Sequence, residues 1–335
     1  MDKIISIIIP MYNVENTISK AIDSILNNTY QNYELILVDD ESNDNTLKIC
    51  EKYQDERIKI IKQKHAGVSA ARNNGIKNSK GDYIGFIDGD DYVDDDYLES
   101  LLNYALENDL DWVESGVIYY WNKDKKTNQS YFNQNMIFTK DNYDLIYRHL
   151  FNTKHGNIFL HSSLCVAGLY KRDRLNNICF KTDISNGEDI LFNYDVINNI
   201  DRYGYLNKNM YHYLSYQSGN NDNEDIFCFK IKQLIKEVEI SRNKYNDILT
   251  NEELLFVFNR LLSILTKYIF HKNKDERKKD YIKYDEYLND ENIKYLYDKI
   301  HPNISKLKYY RILIYLFKSR KYEYLYYLWF IKNTI

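Results

Sequence analysis

A short apolar run, Tyr83 to Ile87, leads straight into Asp88, Gly89, Asp90 and Asp91. Like charges packed this closely raise the pKa of at least one member, so the cluster suits a hard divalent cation with oxygen ligands, Mn2+ or Mg2+. A solvated acidic turn accounts for an isolated Asp-x-Asp equally well, and the further run Asp94, Asp95, Asp96 supports that plainer reading. A calcium loop of the EF-hand type is excluded, because counting from Asp88 places Val93 where that loop needs glycine. A second acidic pair, Glu188-Asp189, stands between Gly187 and the apolar Ile190, Leu191 and Phe192. It reads as a helix start, where acids are favoured by the helix dipole or a carboxylate can be oriented by backbone N–H groups.

The elements that must position these groups follow from periodicity. Ile4 to Pro10 is a β-branched run closed by proline, the pattern of a strand buried on both faces. Ile18, Ala21, Ile22, Ile25 and Leu26 form one stripe of a helix over Thr17 to Asn27. Tyr33 to Val38 is a second strand ending at Asp39-Asp40, and Ser42, Asn43 and Asp44 offer caps for a helix carrying Leu47, Cys50 and Tyr53. Ile58 to Ile61 is a third strand, Ser69 is placed to cap a helix from Ala70 to Asn78, and Gly81 releases the chain into the strand Tyr83 to Ile87. This alternation predicts a doubly wound α/β sheet whose polar strand ends, 11–15, 39–45, 64–69 and 88–91, gather along one edge.

Further along, a helix over Leu98 to Glu107, a strand over Trp112 to Trp121 and a polar loop from Asn122 to Asn135 are expected, then mixed short elements over 140–215. Beyond a boundary near Gly219 the pattern turns helical, with candidates at 226–244, 252–271 and 279–297. The resulting division is a domain at 1–219, with halves of about 1–110 and 111–219, and a helical domain at 220–335. Its last stretch, 306–335, interleaves Lys and Arg with Tyr, Phe and Trp, which suits either an interfacial segment on an anionic bilayer or a helix pair in the domain or a homo-oligomer.

With 335 residues, 44% hydrophobic and 28% charged, the chain is long enough for one large domain and a smaller one. A formal net charge of -4 gives no general reason to expect nucleic acid, and no run of about 18 apolar residues could span a bilayer. The short run after Asp2-Lys3 lacks the features of a signal peptide and reads as a strand. Cys50, Cys165, Cys179 and Cys228 have no zinc spacing and read as reduced, mostly buried thiols of a cytoplasmic protein, with peripheral contact at the cytoplasmic membrane face through 306–335.

Taken in order, the motifs over about 1–215 resemble the family 2 glycosyltransferases, inverting enzymes with the GT-A fold, a Rossmann-like mixed sheet flanked by helices. They are Ile-Ile-Pro-Met-Tyr-Asn at 8–13, Val-Asp-Asp-Glu-Ser at 38–42, Gly67 with Ala-Ala-Arg-Asn at 70–73, the run 81–91 and Glu188-Asp189. The resemblance implies that Pro10, Tyr12 and Asn13 line a nucleotide pocket with Tyr12 against the base, and that Asp39 or Asp40 accepts from the base, Asp39 being favoured. It implies Arg72 on the diphosphate or the carboxylate cluster, Asp88-Gly89 beside the nucleotide, and Asp90, Asp88 and more weakly Asp91 on the metal, with His212 as a further metal candidate. Asp189 is then the base that deprotonates the acceptor hydroxyl, and Glu188 orients the acceptor. Cys165 to Tyr170 with Lys171-Arg172 loosely matches a segment flanking an acceptor groove.

The implied reaction moves a hexose or N-acetylhexosamine from a UDP-sugar to a saccharide or lipid-linked glycan in bacterial surface glycan synthesis. The main departure from the family pattern is Glu41, where glycine is frequent, in the loop beside the base. A sugar nucleotidyltransferase would need a glycine- and lysine-rich N-terminal loop, which Met11 to Glu15 lacks, and a catalytically idle nucleotide-sugar-binding or membrane scaffold subunit is the third alternative.

Overall fold

The computed structural model describes residues 3–121, 126–130, 132–142, 164–182, 188–214 and 289–301, with single positions between 234 and 287. The chain divides into two compact units, Met1–Asn220 and Asn221–Ile335. The candidate helices at 226–244 and 252–271 lie, apart from single positions, outside the described residues, as do the segment 306–335 and Cys228. In the second unit one helix is described over its whole length, Glu291–Lys299, opened by Asp290, whose side chain accepts from the Asn292 N–H at 2.8 Å. No helix of the described residues is long and apolar enough to cross a membrane.

The first unit begins with the expected alternation. Strand β1 (Ile5–Met11) is buried at every position, as its β-branched run requires. Helix α1 (Ile18–Leu26) lays Ile18, Ala21, Ile22 and Ile25 on the sheet. Strand β2 (Tyr33–Asp39), helix α2 (Thr46–Cys50), strand β3 (Ile58–Lys62), helix α3 (Val68–Asn78) and strand β4 (Tyr83–Phe86) follow. The strands run parallel, β1 between β2 and β4, with Met11 level with Asp39. Helix α3 starts two residues before the sequence suggests: Gly67 is its N-cap, and Ser69 lies inside it with a buried hydroxyl that caps nothing. The crossing of α3 over β1 is close enough to demand glycine, since a Cβ on Gly75 would lie 2.3 Å from Ile8 Cγ2.

The second half completes a mixed sheet. Strands β5 (Tyr92–Val93), β6 (Trp112–Tyr120), β7 (Lys126–Gln129), β8 (Met136–Thr139), β9 (Gly168–Lys171) and β10 (Arg202–Tyr213) join helices α4 (Tyr97–Glu107) and α5 (Glu188–Asn199). The ten-stranded sheet has the order β3-β2-β1-β4-β9-β6-β10-β5, with β7 on β6 and β8 on β10. Strand β9 enters antiparallel between β4 and β6, so the sequence-distant 164–171 segment becomes the neighbour of the strand that leads to Asp88. The expected loop from Asn122 to Asn135 contains β7, whose short polar run Lys126–Gln129 pairs with the end of β6 and carries no hydrophobic alternation to betray it.

Candidate active site

At the C-terminal end of β4, Asp88, Asp90 and Asp91 bring carboxylate oxygens within 4.8 Å of one another. Gly89 between them lies against the β1 loop: a Cβ there would be 3.1 Å from Val14 Cγ2 and 3.3 Å from Pro10 O. Its carbonyl accepts from the Thr17 hydroxyl at 2.9 Å. Asp91 is buried, and both its oxygens have partners, the Tyr211 hydroxyl at 2.7 Å and the Leu214 N–H at 2.8 Å. Burial and the charges of Asp90 and Asp88 push its carboxyl well up. Asp90 is pushed up to about 6, by burial first and by Asp88 second.

Arg72, on α3 and only 3% exposed, gathers three more contacts into the same place. Its Nη2 donates to Asp88 Oδ1 at 2.8 Å, while Nη1 donates to Asp189 Oδ1 at 2.7 Å and Glu188 Oε1 at 3.2 Å. Beneath it the Phe180 ring lies 5.2 Å from the guanidinium carbon and stacks on Phe192 at 4.0 Å, a platform that keeps water from the buried side. Three carboxylates thus share one guanidinium, Asp88, Glu188 and Asp189, with Asp90 and Asp91 clustered beside Asp88. That imbalance raises Glu188 to about 7, through burial and then Asp189, with Arg72 pulling the other way. The donor set is all oxygen and in charge excess, which fits a hard divalent cation held by Asp88 and Asp90.

Asp189 is the first-turn carboxylate of α5, held at both oxygens: Arg72 on Oδ1, and the Cys165 N–H on Oδ2 at 3.2 Å. The Cys165 segment is itself anchored. Asn193, one turn along α5, donates to Leu164 O at 2.8 Å. The Tyr170 hydroxyl lies 2.8 Å from Asn193 Oδ1 and 3.1 Å from Cys165 O. Ser115 N–H holds the carbonyl of Ala167, a residue with φ of 65°, at 2.9 Å. None of these supports shows in a motif, because they act through main-chain groups and a buried amide.

On the other side, the two aspartates after β2 part company. Asp40 accepts from Gln63 Nε2, Ala66 N and Gly67 N at 2.8, 2.9 and 2.8 Å and lies 2.9 Å from His65 Nδ1, so its carboxylate holds the loop before α3. Asp39 is buried with Oδ1 unpartnered. Tyr12, 42% exposed, packs on the His65 ring with centroids 4.3 Å apart. Asn13 accepts from Asn43 N at 2.8 Å and Pro10 is buried in β1, so both shape the loop beside Tyr12.

His212 does not join the acidic cluster. Its Nε2 lies 2.7 Å from Asp94, its Nδ1 3.1 Å from the Tyr120 hydroxyl, and its ring stacks on Tyr92 at 4.1 Å. Strand alternation explains this: Tyr211 points to Asp91, so His212 faces the opposite side of β10. Cys50 and Cys165 are buried and Cys179 exposed, each a free thiol.

A Rossmann-like mixed sheet with a carboxylate cluster at the parallel strand ends defines a GT-A protein, and solved structures agree on the fold. Staphylococcus aureus TarS residues 1–349 in complex with UDP-GlcNAc superposes with a TM-score of 0.69 over 97% of this chain and 90% of that one, at 20% identity. Residues 6–166 match the family model of glycosyl transferase family 2. Bacillus subtilis uncharacterized glycosyltransferase EpsJ is 36% identical over 64% of this chain and 61% of its own length. Glycosyltransferase GlyA of Streptococcus pneumoniae is 35% identical over 64% of this chain but only 31% of its own length. Poly(ribitol-phosphate) beta-N-acetylglucosaminyltransferase TarP of Staphylococcus aureus is 33% identical over 60% of this chain and 59% of its own length.

Proposed function

We propose that this protein transfers a hexose or N-acetylhexosamine from a UDP-sugar to a saccharide hydroxyl, with inversion, in the assembly of a bacterial surface glycan. The observation that carries the reading is the convergence of Asp189 and Asp88 on one buried arginine at the strand ends, with Asp90 clustered beside Asp88. The UDP-GlcNAc complex of TarS and the names of TarP and of the minor teichoic acid biosynthesis protein GgaB from Bacillus subtilis support the donor and acceptor classes.

In this reading Tyr12 packs on the uracil and Asp39 offers its unpartnered oxygen to the base N–H. Asp88 and Asp90 would hold Mn2+ or Mg2+, whose chemistry would be to neutralise charge on the departing diphosphate. Asp91, with both oxygens committed to Tyr211 and Leu214, fixes the turn that presents them. Asp189 takes the proton of the acceptor hydroxyl as the hydroxyl oxygen bonds to the anomeric carbon and the bond from that carbon to the UDP oxygen breaks. Arg72 and the Cys165 N–H fix the direction of the Asp189 carboxylate, a positional contribution that can be worth orders of magnitude in rate. Glu188, also on Arg72, is placed to orient the acceptor.

Calorimetric titration with UDP and GDP, each with Mn2+ and with EDTA, tests the donor site: metal-dependent preference for UDP is expected, and binding of neither overturns the reading. Asp189→Asn should leave UDP affinity intact and lower transfer by about 100-fold or more; full retained activity would remove Asp189 as the base. The same reading puts the reaction at the cytoplasmic membrane face with residues 306–335 on anionic lipid, and flotation of a chain lacking them, unchanged from the full chain, would defeat that part.

A further inference from the structure

Glu41 has φ of 65°, the left-handed region that glycine adopts freely and a residue with a Cβ enters only at a steric cost. Its side chain is not idle there: Oε2 accepts the His65 N–H at 3.1 Å, from a residue 24 positions away. The same His65 has its Nδ1 3.1 Å from Asp40 O and 2.9 Å from Asp40 Oδ2, so three contacts fix both its backbone and its ring. The ring so fixed packs on Tyr12 at 4.3 Å between centroids, tilted by 30°. His65 is 51% exposed at its side chain and Tyr12 is 42% exposed, so the pair forms a surface ledge over the ends of β1 and β2.

From this geometry we infer that Glu41 and His65 are positioning residues for the nucleobase of the donor: Glu41 holds His65, and His65 fixes Tyr12 as a base-stacking surface. The inference rests on the proposed nucleotide site and extends it to His65, which no motif marks, and to Glu41, the residue that departs from the family pattern. A tyrosine ring backed by a second ring on one face keeps its orientation before the base arrives, which reduces the ordering cost of binding. The strained backbone at Glu41 is retained because a glycine there would relax the turn and lose the carboxylate that grips the His65 N–H.

The test is calorimetric titration of the full chain with UDP and with pyrophosphate, both in Mn2+, beside thermal melting. Glu41→Gly is compatible with the native φ and is expected to melt at or above the unaltered protein. It should nonetheless bind UDP roughly three- to tenfold more weakly, the scale of one lost aromatic contact, with pyrophosphate affinity unchanged. His65→Ala should weaken UDP by a similar factor. Glu41→Gln, which keeps an acceptor for the N–H, and His65→Phe, which keeps a ring on Tyr12, should restore it. UDP affinity unmoved in both Glu41→Gly and His65→Ala overturns the inference, as does an equal fall for pyrophosphate, which would mean general damage to the loop. Failure of the unaltered protein to bind UDP is a different result: it removes the donor reading itself, and this inference with it.

Discussion

Arg72 Nη1 lies 2.7 Å from Asp189 Oδ1 across 117 positions of sequence, while Nη2 of the same guanidinium lies 2.8 Å from Asp88 Oδ1. One planar fork therefore sets the distance between the acidic turn after β4 and the first turn of α5. A lysine carries the charge but not the fork. Arg72→Lys is expected to fold and to lose about 100-fold in transfer, because in the proposed reaction a small displacement of Asp189 relative to the donor is enough. Arg72→Ala leaves Glu188 and Asp189 facing each other without a cation and should cost about 3 kcal/mol in urea unfolding. Near-native transfer by Arg72→Lys would show that the bridge is not needed.

Asp39 and Asp40 should separate on two readouts. Asp40→Ala removes the acceptor of three donors in the 63–67 loop and should lower both stability, by about 2 kcal/mol, and UDP affinity. Asp39→Asn replaces a side chain with an unpartnered oxygen, so melting should hold or rise while UDP affinity falls by about tenfold. If Asp40→Asn weakens UDP with melting held, and Asp39→Asn does not, the base is read by Asp40.

Glu114 is fully buried on β6, with Oε2 accepting from Tyr203 at 2.9 Å and Oε1 unpartnered. Burial pushes its carboxyl from 4.5 up to about 8. Below the unfolded value both states are protonated and the group costs no charge burial. As pH rises from there to the folded value, the unfolded chain ionises first, so the folded state loses stability relative to it. Glu114→Gln should cancel this: its gain over the unaltered protein in urea unfolding should grow by roughly 3 kcal/mol between about pH 5 and about pH 8. A gain independent of pH would mean that Glu114 is ionised in the fold.

Tyr170→Phe keeps the ring stacked on Trp112, at 5.2 Å, and removes only the hydroxyl shared by Cys165 O and Asn193. Loss of about 1 kcal/mol in stability is expected. Transfer should fall with UDP affinity unchanged, since the hydroxyl acts on the segment that holds Asp189 rather than on the donor site. A parallel loss of UDP binding would place its effect in the fold as a whole.

Much of the region over about residues 1–110 is legible from local pattern. The β-branched runs of β1 and β2, the helical stripe of α1 and the acidic ends of β2 and β4 depend on periods of two and 3.6 residues, which neighbouring residues alone express. The region over about 111–219 is less so: β7 has no hydrophobic alternation, and β9 is four residues long and owes its place to pairing with β4 and β6. Asp88, Asp90, Arg72 and the Glu188-Asp189 pair could be named as candidates from residue type and order. The meeting of Asp88, Glu188 and Asp189 at the Arg72 guanidinium, the turning of His212 toward Asp94, the division of labour between Asp39 and Asp40, and the grip of Glu41 on His65 were decided by tertiary structure. The physical reason is that hydrophobic periodicity is a local property, whereas the partner of a buried charge or a main-chain N–H is whatever long-range packing brings within hydrogen-bonding distance.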